Sequence, residues 1–136
     1  MPITILYEAV LEPLVTLQDA RDRIAQITQD LFPGQALLVD IAINEALQNA
    51  ADYRKPGTNV HIEIKNIDDH DFVVSITNDV DSFDPKEWMF KAQTEDWASG
   101  FDMGSGRGIM IMYNVFDQLM YDRREETMSV TMVKRI

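Results

Sequence analysis

The sequence predicts an α+β fold in two layers, with an antiparallel or mixed sheet of about five strands and three helices on one of its faces. Two observations support this prediction. The strand candidates are joined mostly by short turns, and each carries one apolar row, as expected for a sheet that is covered on one side only. The chain has 136 residues with no internal repeat and no linker, which predicts a single domain over residues 1–136.

The N-terminal part of the chain predicts one strand and two helices. Residues 3–10 are β-branched and apolar enough to form the strand. The first helix starts after Thr16, which is a suitable N-cap, and ends at Pro33-Gly34. The second helix runs from about Gln35 to Arg54, because Lys55-Pro56-Gly57 follows and stops it.

The remaining elements are a hairpin, a helix and a second hairpin. Residues 60–65 and 72–77 alternate apolar and polar side chains around an aspartate-rich turn, which predicts two antiparallel strands. Residues 79–105 show no sustained period, and a segment of this length is typical of a functional loop. A third helix opens at Gly106 or Arg107, and residues 119–135 read as two strands around an acidic turn.

Charge and composition exclude several function classes. Acidic residues outnumber basic ones 23 to 12, so the net charge of −11 argues against nucleic acid or an anionic membrane surface as partner. The absence of cysteine excludes disulfides and thiolate metal sites. The N-terminus has neither a basic start nor a long apolar run, so we expect neither a signal peptide nor a membrane span. We expect a cytoplasmic location.

The second helix carries the first candidate site. Glu45, Asn49 and Asp52 lie at the edge of its apolar arc, at positions i, i+4 and i+7. A carboxylate and an amide one turn apart can share a metal-bound phosphate, since Mg²⁺ prefers oxygen ligands. The alternative is an ordinary solvated helix face.

The second and third candidates are Asn78 and a glycine cluster. Asn78 continues the inward row of its strand, so its amide needs a polar partner between sheet and helices; the alternative is a common turn at a strand end. The segment Gly104-Ser105-Gly106-Arg107-Gly108 stands before a helix, where free backbone N–H groups attract anions; the alternative is an ordinary loop before a helix. This segment lacks the Gly-Lys-Ser/Thr ending of a P-loop.

Taken in order, these three segments resemble the nucleotide site of the GHKL (Bergerat-fold) ATPase superfamily. Residues 44–50, Asn-Glu-Ala-Leu-Gln-Asn-Ala, resemble its helix motif, in which Glu and Asn are four positions apart. Residues 78–85, Asn-Asp-Val-Asp-Ser-Phe-Asp-Pro, resemble its first glycine box, Asp-x-Gly-x-Gly-Phe-Asp-Pro. Residues 104–109 resemble its second glycine box. The short length points to the single-domain anti-sigma factor serine/threonine kinases.

The resemblance implies ATP and Mg²⁺ as cofactors and assigns roles to individual residues. Glu45 would be the base that orients or deprotonates the attacking hydroxyl, and Asn49 would hold Mg²⁺. Asn78 stands where the family has the Asp that accepts a hydrogen bond from the adenine amino group. The other residues implied to contact the nucleotide are Asp52, Phe83, Gly104, Ser105, Gly106, Arg107 and Gly108.

The resemblance also implies protein partners. Kinases of this type phosphorylate a Ser or Thr of an anti-anti-sigma (STAS-type) protein, which competes with a sigma factor for the kinase. A homodimer through the N-terminal strand fits the two rather apolar faces of that strand, although an edge strand buried within one subunit would look the same.

The first glycine box departs from the family pattern, and this departure supports a second hypothesis. Asn78 replaces the acid, and Val80 and Ser82 replace both glycines. An Asn oxygen still accepts a hydrogen bond, but without the charge that strengthens it. Nucleotide affinity is therefore expected to be weak or absent. The alternative function is a partner-switching binding module that keeps the fold without efficient nucleotide chemistry.

Overall fold

An antiparallel five-stranded sheet forms one layer of the computed structural model, and three helices form the other. The structure describes residues 2–12, 17–79, 104–124 and 126–136. The strands are β1 (Ile3–Leu11), β2 (Val60–Ile67), β3 (Asp71–Asp79), β4 (Gln118–Arg124) and β5 (Thr127–Arg135). The helices are α1 (Gln18–Leu31), α2 (Ala36–Tyr53) and α3 (Gly104–Val115). The predicted α+β class is confirmed, and every strand pair described is antiparallel.

The strand order in the sheet is β1–β2–β3–β5–β4, so the C-terminal strand lies between β3 and β4. The predicted hairpin between β2 and β3 is present, and its turn places Asp68 and Asp69 at φ values of 56° and 59°. Aspartate tolerates this left-handed conformation better than most residues. The His70 N–H closes the turn by donating to the Ile67 carbonyl at 3.0 Å. β1 is an edge strand, and its register with β2 shifts between Ile5 and Tyr7.

The core lies between the helices and one face of the sheet. The alternation predicted for the strands holds in β2 and β5, where the inward residues are buried and their neighbours are not. It holds in β3 except at Val73, which is buried although it lies on the other face. Each large apolar side chain buried in this way contributes roughly 1.5–3 kcal/mol. The fully buried side chains with the largest volumes are Phe72, Ile24, Ile43, Leu47, Ile62, Ile64, Ile76, Met112, Met132, Val39 and Val60.

Two helix starts differ from the prediction. Leu17 occupies the N-cap position of α1 without a side-chain cap hydrogen bond, while the predicted cap, Thr16, lies outside the described residues. α3 starts at Gly104, two residues before the earliest predicted start, so the glycine cluster is part of the first turns of the helix instead of a loop before it. The predicted loop over residues 79–105 lies largely outside the described residues.

The longest described helix is α2, with 18 residues. Across the described ranges, no helix has the length and hydropathy that a membrane span requires.

Candidate functional site

A small cavity lies between the C-terminal half of α2 and the sheet. Its walls come from four elements, α2, β3, β4 and β5, and they are mostly apolar. The described side chains that line it are Ala46, Asn49, Ala50, Asn78, Tyr121, Met128 and Val130. The cavity brings together two of the residues that the sequence singles out, one from the helix motif and one from the end of a strand.

Asn49 reaches the cavity because α2 turns this position toward the sheet, next to the alanines that precede and follow it on the same face. It is only 8% exposed, although the sequence placed it at the edge of the apolar arc. Its Nδ2 finds no hydrogen-bond partner among the described residues. Leaving a buried donor unpaired costs about 1–3 kcal/mol, so an arrangement of this kind indicates a place for a ligand or a water molecule.

Asn78 faces the same cavity from the sheet. It pairs with Val60 on one side and Met128 on the other, and the alternation of β3 turns it toward the helices as predicted. It is 5% exposed, and its Nδ2 also lacks a partner within the described part of the chain. Two amide nitrogens for which the described residues offer no partner therefore belong to side chains that line one apolar cavity.

The backbone around Asn78 is held by contacts on both sides. The Lys55 N–H, just after α2, donates to the Asp79 carbonyl at 2.6 Å. The Thr127 hydroxyl donates to the Asp79 carboxylate at 3.2 Å. The carboxylate of Asp79 is thus engaged by the neighbouring strand, so the acid next to Asn78 does not replace it in the cavity.

Tyr121 forms part of the outer wall of the cavity, on β4. Burial raises the pKa of its phenol above the ordinary value, so the hydroxyl is neutral at physiological pH and can both donate and accept a hydrogen bond. The room between these side chains is about 10 Å³, which holds about one water molecule. Ligand pockets are usually roughly 300–1,000 Å³, so a larger ligand requires the lining side chains to move.

Glu45 and Asp52 lie on α2 but outside the lining of this cavity. Glu45 is half-buried one turn before Asn49, while Asp52 is exposed and accepts a hydrogen bond from Gln48 Nε2 at 2.8 Å. Gln48 in turn accepts a hydrogen bond from the Arg21 guanidinium at 2.6 Å, which ties α1 to α2. The carboxylate of Asp52 therefore belongs to a surface network, and its predicted contact with a nucleotide is not supported by a shared cavity.

The glycine cluster is at the N-terminus of α3, which packs against α2. In the first turn of a helix the backbone N–H groups lack intrahelical partners, which suits an anion. Gly104, Gly106 and Gly108 contribute helical backbone to this end. Phe83 lies outside the described residues, as do the side chains of Ser105 and Arg107.

Sequence reasoning missed Tyr121, Met128 and Val130 as parts of the site. Met128 and Val130 belong to the apolar row of β5, which the sequence predicts to face the core. Their place beside Asn78 depends on β5 pairing with β3, and no local pattern in the sequence reports which strands are neighbours.

Comparisons with known proteins agree on the fold. The sequence profile of the histidine kinase-like ATPase domain matches residues 8–134. A solved structure of the mycobacterial sensor histidine kinase MprB is similar with a TM-score of 0.56 and 17% identity, covering 93% of this chain and 97% of that one. The histidine kinase AdeS of Acinetobacter baumannii is similar with a TM-score of 0.54 and 9% identity, covering 96% and 68%. No curated protein matches.

Proposed function

We propose that this chain, which belongs to the histidine kinase-like ATPase domain family, binds ATP between α2 and the sheet and transfers phosphate to a serine or threonine of a protein partner. The predicted resemblance to the GHKL superfamily is confirmed by this family match and by the fold. The observation that carries the proposal is the cavity in which Asn49 and Asn78 are both buried with an unpaired Nδ2.

The cavity has the chemistry that a nucleobase requires. A flat heterocycle packs against apolar side chains, here those of Ala46, Met128 and Val130, and its edge needs hydrogen-bond partners. Asn78 would provide these at the base. The present room is too small for a purine, so binding would displace side chains at the wall, for which a flexible methionine such as Met128 is well suited.

The phosphates would extend from the base toward the N-terminus of α3. Asn49 would hold Mg²⁺ through its amide oxygen, and the backbone N–H groups at Gly104–Gly108 would bind the phosphate oxygens. The described residues contain no cluster of three His, Asp or Glu side chains able to hold a metal. The metal would therefore depend on Asn49, phosphates and water, as Mg²⁺ in nucleotide sites commonly does.

Glu45 would act on the partner's hydroxyl. It lies one turn N-terminal to Asn49 on α2 and is half-buried, so its side chain is still reachable from solvent. A carboxylate in this place can orient or deprotonate a serine or threonine hydroxyl. Bound ATP supplies the phosphoryl group, and its metal offsets the charge on the phosphates.

An anti-anti-sigma (STAS-type) protein is the proposed substrate, with a sigma factor as its competitor. Two features support a protein partner. Leu37, Leu38 and Ile41, at the N-terminal end of α2, are exposed to solvent ahead of Glu45. Residues 24–53 contain no lysine or arginine, so this side of the molecule favours a partner with a basic surface.

The homodimer through the N-terminal strand stays a prediction. Its support is that β1 exposes the apolar side chains of Ile3, Ile5 and Val10.

Titration calorimetry with Mg-ATP tests the nucleotide half of the proposal. Asn49→Ala is expected to weaken binding about tenfold or more, since it removes a hydrogen-bonding group that acts on a charged ligand. Asn44→Ala is the matched control, because Asn44 is an amide on the same helix that already donates to Asp40 at 2.9 and 3.0 Å. Equal losses in both variants would contradict the assignment.

Phosphate transfer to a STAS-type partner tests the kinase half. Glu45→Gln is expected to slow the transfer about 100-fold or more, in line with the loss of a general base, while the affinity for Mg-ATP stays nearly unchanged. The readout is radiolabel from γ-labelled ATP on the partner. If the wild-type chain binds Mg-ATP but no label appears on any STAS partner, the kinase proposal is wrong.

A binding module without efficient nucleotide chemistry is the second candidate. The cavity of about 10 Å³ and the replacement of the expected acid by Asn78 favour it. No heat at millimolar Mg-ATP, together with binding to a STAS protein or sigma factor, would support this function over the kinase.

A further inference from the structure

We infer that this cavity accepts purines with an oxygen at C6 as well as purines with an amino group there, so that GTP and ITP are ligands alongside ATP. The inference rests on the proposed function, because it concerns the nucleotide that the same cavity binds. Asn78 is the residue that carries it.

The backbone of Asn78 is held in place on both sides, whereas its side-chain nitrogen makes no hydrogen bond to a described residue. Its backbone pairs with β2 and β5, and the next residue is held by Lys55 and Thr127. The carboxamide lines an apolar cavity, and no described residue makes a hydrogen bond to its Nδ2. The side chain can therefore turn about χ2 while its place beside a base edge stays the same.

A carboxamide reads a base edge differently from a carboxylate. Its oxygen accepts a hydrogen bond and its nitrogen donates two, and half a turn about χ2 exchanges the two ends. Adenine offers an amino donor at C6, whereas guanine and hypoxanthine offer a carbonyl acceptor. A carboxylate accepts a hydrogen bond from the amino group. Opposite the C6 carbonyl, the carboxylate oxygen faces another acceptor with no donor between them, so a carboxylate discriminates against the 6-oxo purine. The carboxamide pairs with either group.

The other described polar groups in the cavity do not restore this discrimination. Asn49 is also a carboxamide, and the Tyr121 hydroxyl both donates and accepts. The carboxylate nearest in sequence, that of Asp79, is bound by Thr127 on the neighbouring strand. Among the described residues that line the cavity, none carries a carboxylate, the group that pairs with an amino donor but not with a carbonyl.

Titration calorimetry of the full chain with Mg²⁺ and ATP, GTP, ITP or CTP tests the inference. The affinities for ATP, GTP and ITP are expected to agree within about tenfold, with CTP weaker because a pyrimidine offers less apolar surface to pack against the lining side chains. ITP separates the effect of the C6 oxygen from that of the 2-amino group of guanine.

Asn78→Asp is the matched variant, since it changes one atom of the side chain and keeps its size. It should shift the ratio of ATP to ITP affinity at least about tenfold toward ATP, which corresponds to about 1.4 kcal/mol. Its melting temperature is measured beside that of the wild type, and the comparison of nucleotides on the wild-type chain stands even if the variant unfolds.

Three results would overturn the inference. Wild-type binding of ATP with no binding of GTP or ITP at a hundredfold higher concentration would refute it while the proposed function stands. A folded Asn78→Asp chain with an unchanged ratio would show that position 78 does not read C6. No heat with any nucleotide would refute the proposed function and this inference together.

Discussion

The two halves of α2 differ in which side chains they expose to solvent and which they bury. The N-terminal half exposes large apolar side chains, with Leu37 at 71% and Leu38 at 57%. The C-terminal half buries the amide of Asn49 among alanines, next to the fully buried Leu47. In an amphipathic helix, apolar side chains are normally buried and polar ones exposed or paired. The N-terminal half departs from this by exposing leucines, and the C-terminal half departs from it by burying an amide donor without a partner among the described residues.

The contrast shows that folding alone does not explain either half. Exposed leucines at one end of a helix gain nothing for the isolated chain, whereas a contiguous apolar patch commonly marks a surface for a partner. A buried unpaired amide lowers stability, whereas it can pair with a ligand. The candidate base, Glu45, lies between these two halves, so under the proposed function α2 would connect a partner surface with a ligand cavity.

The largest expected effect separates the two halves by stability. Leu47→Ala should lower the free energy of unfolding by about 2–5 kcal/mol, because it leaves a cavity in the core. Leu38→Ala should change the same quantity by no more than about 0.5 kcal/mol, because its side chain is mostly in solvent. Urea unfolding followed by circular dichroism gives both values. A large loss for Leu38→Ala would mean that the N-terminal half has a structural role after all.

A second prediction concerns the buried amide of Asn49, whose replacement is expected to raise the free energy of unfolding instead of lowering it. Asn49→Leu should raise the free energy of unfolding by about 1 kcal/mol, since it replaces an unpaired donor with an apolar group of similar size, while Mg-ATP binding is lost. Asn44→Leu is the comparison, and it should not stabilise, because it removes the two hydrogen bonds that Asn44 Nδ2 donates to Asp40 together with an Oδ1 that has no partner among the described residues. Destabilisation by Asn49→Leu would indicate that the amide has an internal partner.

The smallest effect is a pH dependence in the N-terminal half. Burial raises the pKa of the Asp40 carboxyl, and the hydrogen bond from Asn44 opposes that shift only in part. The folded state therefore disfavours the ionised form, so Asp40 lowers stability above its raised pKa and has no such effect below the unfolded value of about 3.9.

Asp40→Asn should accordingly increase the melting temperature slightly at pH 7, with an oxygen still present to accept from Asn44, and the gain should disappear toward pH 3. Melting curves of both chains between pH 3 and 8 measure it. Asp30→Asn, at an exposed position on α1, is the comparison, and an equal gain there would assign the effect to net charge rather than to burial.

The fold was largely predictable because its signals are local. The alternation in residues 60–65 and 72–77 predicted two strands, and the proline and glycine after Arg54 predicted the end of α2. The start of α3 was less predictable, since glycines that suggested a loop are helical in the structure. A helix that packs against another one, as α3 does against α2, can include residues of low helix propensity.

The candidate site was predictable in part. Spacing along one helix singled out Asn49, and strand alternation turned Asn78 inward, and both side chains line the cavity. Glu45 was singled out by the same spacing, but it lies outside that lining and its role stays a prediction. The nucleotide contact of Asp52 stays a prediction, and its carboxylate takes part in a surface network with Gln48 and Arg21. It did not identify Tyr121, because the side chain lines the cavity only through the position of β4 beyond β5 in the sheet.

The sequence by itself determined the periodic elements, the inward side of each strand and the motif residues, because each depends on the spacing of a few neighbouring residues. Only the tertiary structure decided that Asn49 and Asn78 share a cavity and that their amide nitrogens find no partner in the described part of the chain. Burial and hydrogen bonding depend on which distant segments pack together, and the insertion of β5 between β3 and β4 is the step that closes the cavity around both side chains.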